Sequence, residues 1–83
     1  MNQPVKMYTL STCGHCKAAK QFMCDHNVLH EFTDVDLLTG EERRQILDEI
    51  RKYNPNCSFP TILIGDKVII GYNEKNIMEA LEL

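Results

Sequence analysis

No apolar run in the chain approaches the ~20 residues that a membrane-spanning helix needs, so no bilayer span is expected. There is no basic excess either. Nine Lys and Arg residues are scattered among twelve acids, the formal net charge is −3, and no basic stripe forms, which argues against a nucleic-acid surface. Met1-Asn2-Gln3-Pro4 runs straight into a strand-like segment, without the charged region and apolar stretch of a secretory signal. The expected compartment is therefore the cytoplasm, where cysteines are kept mostly reduced. Glycine and proline are scarce, at four and three residues. With periodic segments available to build a core, that scarcity counts against reading the four cysteines as the disulfide scaffold of a small secreted protein. No repeat, low-complexity tract or linker interrupts the chain, and its 83 residues read as one domain, 1–83, with a modest core.

What is present is a regular succession of strand and helix patterns. Val5 to Leu10 reads as a short buried strand. Residues 14–27 read as a helix whose inward stripe is Cys16, Ala19, Phe22 and Met23, with Asn27 as its C-terminal cap. A second strand lies within Leu29 to Asp36, with Phe32 and Val35 expected to be buried. Thr39-Gly40-Glu41-Glu42 has the form of a capping box, and the helix it opens carries Ile46, Leu47, Ile50 and Tyr53 on one face and ends before Pro55. Residues 61–64 are a strand, Gly65-Asp66-Lys67 a tight turn, and Val68 to Ile70 the returning strand of a hairpin that Gly71 ends. Asn73 can cap a last helix with Ile77, Met78 and Leu81 facing inward. The order β-α-β-α-β-β-α gives an α/β fold. Parallel pairing of the first two strand–helix units and an antiparallel hairpin make a four-stranded mixed sheet covered by three helices.

Cys13-Gly14-His15-Cys16 stands where the first strand hands over to the first helix. Backbone N–H groups and the dipole of a helical first turn favour an anion, here a thiolate. Cys13 is thus expected to fall below the ordinary thiol pKa of about 8.5, with His15 and Lys17 as possible contributors. Cys16, inside the first turn, is expected to be more buried and protonated. Such a pair can exchange disulfides: Cys13 attacks a substrate disulfide, and Cys16 then attacks Cys13 and releases the reduced substrate. The plain alternative is half of a zinc site, but no second close pair completes it. Cys24 and Cys57 are 33 residues apart, and His26 and His30 straddle a helix end.

Phe59-Pro60-Thr61 is the second informative segment. A proline just before a strand is a candidate cis peptide, a trans turn being the plain alternative. A cis bond beside a dithiol would leave the backbone of Phe59 free to pair with an extended substrate.

Three segments together resemble the glutaredoxin branch of the thioredoxin superfamily: Tyr8-Thr9-Leu10-Ser11-Thr12-Cys13-Gly14-His15-Cys16, Ser58-Phe59-Pro60-Thr61-Ile62-Leu63-Ile64 and Ile70-Gly71-Tyr72-Asn73-Glu74. Their order and spacing are those of the family, and they cover nearly the whole chain. The resemblance implies the thioredoxin fold, with Pro60 in cis facing Cys13 and Cys16. It also implies substrate contacts from Thr12, His15, Phe59, Pro60, Gly71, Tyr72 and Asn73, with Asn73 and Glu74 starting the last helix beside the groove. Catalysis would fall to Cys13 and Cys16.

The chain departs from glutathione-using members. They usually carry a lysine three residues before the nucleophile, where this chain has Leu10, and Pro-Tyr or Pro-Phe between the cysteines, where it has Gly14-His15. The usual Gly-Gly is Ile70-Gly71, and the acidic pair that follows is Asn73-Glu74. These changes look closer to NrdH-type redoxins, which are reduced by a thioredoxin-reductase-type enzyme and often pass electrons to ribonucleotide reductase. The Gly-His dipeptide also occurs in protein disulfide isomerase and tends to stabilise the thiolate, which implies a weaker reductant than thioredoxin. The implied reductant is glutathione or a thioredoxin-reductase-type donor, with no tightly bound cofactor. The implied partners are disulfide-containing proteins and a reductase, acting on a monomer. A second reading is a glutathione-dependent iron–sulfur cluster carrier using Cys13 from each of two chains. Cys24 reads as a small buried hydrophobe, Cys57 as a loop residue or an accessory thiol, and Met7, Met23 and Met78 as core fillers. Glu41, Glu42, Arg43 and Arg44 read as a solvated helix face, and Tyr72 as lining the groove or covering the hairpin.

Overall fold

Alternating β-prone and helix-periodic segments become four strands and three α-helices in the computed structural model, which describes residues 4–82. In chain order these are β1 (Val5–Thr9), α1 (Gly14–Asp25), β2 (Glu31–Asp34), a single 3₁₀ turn (Val35–Leu37), α2 (Gly40–Tyr53), β3 (Thr61–Ile64), β4 (Lys67–Ile70) and α3 (Glu74–Leu81). The reading of Met1 to Gln3 as lacking a leader lies outside the described residues. Among the described residues, no helix is long and apolar enough to cross a membrane.

The sheet runs β2-β1-β3-β4, with β1 parallel to β2 and antiparallel to β3, and β3 antiparallel to β4. Register divides the core in two. Met7 stands beside Ile62, and Ile62 beside Ile69, on one face. With Val5 and Ile64 they meet Ala19, Phe22 and Met23 of α1 and Ile77 and Ala80 of α3. Tyr8 faces the other way and packs with Val35 and with Ile50 of α2, joined by half-buried Leu10, Ile46, Leu47 and Leu63. Period-2 alternation along β1 thus serves both layers.

Local sequence explains most of the ends. After α1 the chain closes a Schellman motif: the Val28 N–H donates to the Met23 carbonyl at 2.8 Å and the Asn27 N–H to that of Cys24 at 3.1 Å. Asn27 adopts φ 55°, which an asparagine tolerates better than most residues. The helix therefore ends at Asp25, two residues before the expected boundary, and Asn27 serves as the left-handed residue beyond it. Asn73 caps α3 through its own Oδ1, which accepts from the Asn76 N–H at 3.1 Å. Gly65, at φ 59°, opens the two-residue turn between Ile64 and Lys67.

Four expectations are corrected. Phe32 is 48% exposed rather than buried, because β2 is an edge strand whose α1-side face is only partly covered. The capping box does not form: the Thr39 side chain makes no cap hydrogen bond, since Gly40 at φ 58° turns the chain between Thr39 and the helix proper. Tyr53 is 41% exposed, at the last turn of α2 where the helix leaves the sheet. Cys24 is exposed. Eight positions past Cys16 it is rotated about 80° from it at about 3.6 residues per turn, which takes it off the inward stripe.

Candidate active site

The antiparallel register sets Thr61 opposite Tyr8, so the segment entering β3 lies at the end of the sheet where β1 passes into α1. There the Phe59–Pro60 peptide is cis. The Pro60 carbonyl accepts the Gly71 N–H at 2.8 Å, which brings Gly71 to the same end. Cys13, Cys16, Phe59, Pro60 and Gly71 thus come to the same end of the sheet from three places in the sequence.

The loop from β1 to α1 is fixed on both sides. Asp36 accepts the Ser11 N–H at 2.9 Å and the Ser11 hydroxyl at 2.5 Å. The Cys13 N–H donates to the Leu10 carbonyl at 3.2 Å, and the Cys13 carbonyl accepts from Lys17 at 3.0 Å. Cys13 is the N-cap of α1, in extended conformation, where a serine or aspartate often stands. Its side chain makes no cap hydrogen bond.

The two thiols are driven in opposite directions. Half-exposed Cys13 is held below the ordinary thiol value by the Cys16 backbone N–H first, then by the Cys16 thiol and, against the effect of burial, the His15 backbone N–H. The structure thus traces the shift to backbone donors of the first turn, with the neighbouring Cys16 thiol, rather than to the His15 or Lys17 side chains. Cys16 is fully buried, and burial pushes its thiol up to about 11. The Leu10 N–H, 3.4 Å from the Cys16 sulfur, opposes that push, the Cys13 sulfur adds to it, and Lys20 counters it.

The remaining expected residues divide. Thr12 and His15 are exposed beside Cys13. Phe59 is half-buried against the Tyr8–Ile50 cluster, and among the described residues nothing hydrogen-bonds to its backbone. The Tyr72 ring meets Phe22 edge-on at 6.5 Å, and Phe22 in turn lies 4.2 Å from His26. Phe22 is nine residues beyond Cys13, about 13 Å along α1. Asn73 uses its side chain as a cap. Cys57, at φ 50°, packs beside the α2 layer.

Composition and spacing did not single out two polar assemblies around the pair. Asn54 is 1% exposed, and its Nδ2 donates to the Ser58 carbonyl (3.1 Å), the Ser58 hydroxyl (2.9 Å) and the Thr61 hydroxyl (3.2 Å), bracing the segment before Pro60. The turn signal Asn54-Pro55-Asn56 marks the place but not the burial. The second joins Thr9, Asp34 and Lys20: Asp34 Oδ1 accepts from Thr9 Oγ1 at 2.5 Å and from Lys20 Nζ at 2.9 Å. Burial raises the Asp34 carboxyl, but the Thr9 hydroxyl and Lys20 ammonium outweigh it and hold it ionised.

Two surface cavities lie elsewhere. One of about 540 Å³ runs between β4 and α3, and one of about 320 Å³ sits by Val5, Leu29 and Glu31 at the far end of β1. Among the described residues, no three His, Cys, Asp or Glu side chains are grouped to hold a metal ion.

Comparison with known proteins agrees with this arrangement. The family model for glutaredoxins matches residues 5–69. A glutaredoxin-like 8.6 kDa protein of the rubredoxin operon of Clostridium pasteurianum is 28% identical over 78 residues, which are 94% of this chain and 97% of that protein. The crystal structure of Methanosarcina acetivorans methanoredoxin superposes with a TM-score of 0.93 at 40% identity, covering 99% of this chain and 87% of its own. The glutaredoxin of Methanosarcina mazei gives a TM-score of 0.88 at 39% identity, over 100% and 84% of the two chains.

Proposed function

The chain belongs to the glutaredoxin family, and from that premise we propose that it is a dithiol–disulfide oxidoreductase that reduces protein disulfides through Cys13 and Cys16. The observation that carries this reading is the opposed state of the two sulfurs: Cys13 held low at the surface, Cys16 buried and pushed up to about 11. A thiolate is the attacking species in disulfide exchange, so the first step belongs to Cys13. Its sulfur bonds one sulfur of the target disulfide, and the other leaves as a thiolate. Cys16 then loses its proton, bonds the Cys13 sulfur and expels the second target thiolate. The target gains two electrons and the pair becomes a disulfide.

An extended target segment fits the Phe59 backbone, whose N–H and carbonyl are free among the described residues. Thr12, His15, Pro60 and Gly71 flank that path. The reductant that restores the pair is a thioredoxin-reductase-type enzyme in preference to glutathione. The support is Leu10, whose side chain packs with Tyr8 and Ile50 and offers no cation to a glutathione carboxylate. The acceptors are cytoplasmic proteins with accessible disulfides, ribonucleotide reductase being one of that kind, and the protein works as a monomer without a tightly bound cofactor.

Turnover of a small disulfide, coupled to NADPH through either donor, tests the reading. Cys13→Ser is expected to abolish turnover, and Cys16→Ser to stop at a mixed disulfide that mass spectrometry detects. Full activity in Cys13→Ser would contradict it.

A further inference from the structure

We propose that Lys20 is a positioning residue for the second step: its ammonium, fixed by Asp34, Thr9 and the Phe32 ring, supplies the positive potential under which the buried Cys16 ionises and attacks the Cys13 mixed disulfide. This rests on the dithiol reading above and names a group that acts on its second half.

Lys20 lies one helical turn beyond Cys16 on α1, at the i+4 spacing that stacks two side chains on one face. A surface lysine would wander; this one is held on two sides, by Asp34 and by the Phe32 ring. Its Nζ donates to Asp34 Oδ1 at 2.9 Å, and both side chains are largely covered, 21% and 15% exposed. The same carboxylate oxygen accepts from the fully buried Thr9 at 2.5 Å, so the acid is itself anchored to the central strand. On the other side, Nζ stands 4.0 Å from the centre of the Phe32 ring. That contact gives a role to a half-exposed phenylalanine that the core does not use.

The charges facing Cys16 are few. Cys13 faces it from the helix start, Lys20 from the next turn, and Asp34 lies behind Lys20 at the end of β2, with Asp36 beyond it on Ser11. In the resting dithiol, the Cys13 thiolate opposes a second negative charge on Cys16. Once Cys13 is bound in a mixed disulfide its sulfur is neutral and that opposition ends. Lys20 and the Leu10 N–H are then left to offset burial. The step is balanced: the Cys16 proton goes to solvent, the Cys16–Cys13 S–S bond forms, the bond from Cys13 to the target sulfur breaks, and the target leaves as a thiolate.

Removing the charge lowers the Cys16 thiolate fraction, and the more basic thiolate that remains is a better nucleophile. For a roughly tenfold drop in thiolate the net slowing at neutral pH is about threefold. At strongly alkaline pH, where Cys16 ionises regardless, the deficit disappears. The experiment loads Cys13 with thionitrobenzoate in a Cys24→Ser, Cys57→Ser background and follows its release from neutral to strongly alkaline pH. Lys20→Met keeps the stem and is expected to be about threefold slow at neutral pH, with its profile displaced to higher pH, and Lys20→Arg is expected to restore the original profile. A Lys20→Met profile that superposes on the parent, a slowing that is the same at every pH, or a failure of Lys20→Arg to restore the profile would overturn the inference. If the parent releases the label no faster than Cys16→Ser, the dithiol reading itself falls, independently of Lys20.

Discussion

Asn54 shows what a single residue contributes here that spacing cannot reveal. A buried amide is costly unless its donors find acceptors, and Asn54 Nδ2 has three within 3.2 Å, all in the segment that delivers Pro60 to the site. Asn54→Ala is expected to destabilise the fold by about 2 kcal/mol, read as a shift in the urea midpoint; a loss below about 0.5 kcal/mol would show that Ser58 and Thr61 satisfy each other without it. Cys13 and Cys16 were legible at this scale because two thiols three apart at a strand-to-helix junction have few other uses. Lys20, Asp34 and Phe32 were not. Spacing alone does not name a partner for Lys20, an apolar residue in a strand reads as core, and only the edge position of β2 lets the two meet.

Secondary-structure elements were legible where one local rule acted alone. The stripe Cys16, Ala19, Phe22 and Met23 is wholly buried, as its period requires. The hairpin followed from Gly65-Asp66, and the cap of α3 from Asn73. Thr39 misled because a second rule intervened: a glycine next to a cap can leave the helical region, and Gly40 does so. The two caps therefore make a paired prediction. Asn73→Ala is expected to cost about 1 kcal/mol in thermal or urea unfolding. Thr39→Ala, with no cap hydrogen bond to lose, is expected to stay within about 0.5 kcal/mol of the parent. Equal losses at the two positions would contradict the cap geometry.

The whole molecule converts these parts into a difference between two sulfurs. Placing β1 and β3 at the centre of the sheet brings the end of one and the start of the other together, and with them the start of α1 and the Pro60 segment. The first turn of α1 points its N–H groups at Cys13 near the surface, while Cys16, one turn on, is fully buried. The most direct test is brief alkylation of the reduced protein across pH, with each cysteine followed separately by mass spectrometry. Cys13 is expected to react with a midpoint below the ordinary thiol value of about 8.5. Cys16 is expected to stay unreactive until pH nears its own value of about 11. Two thiols titrating together near that ordinary value would contradict the division of labour between them.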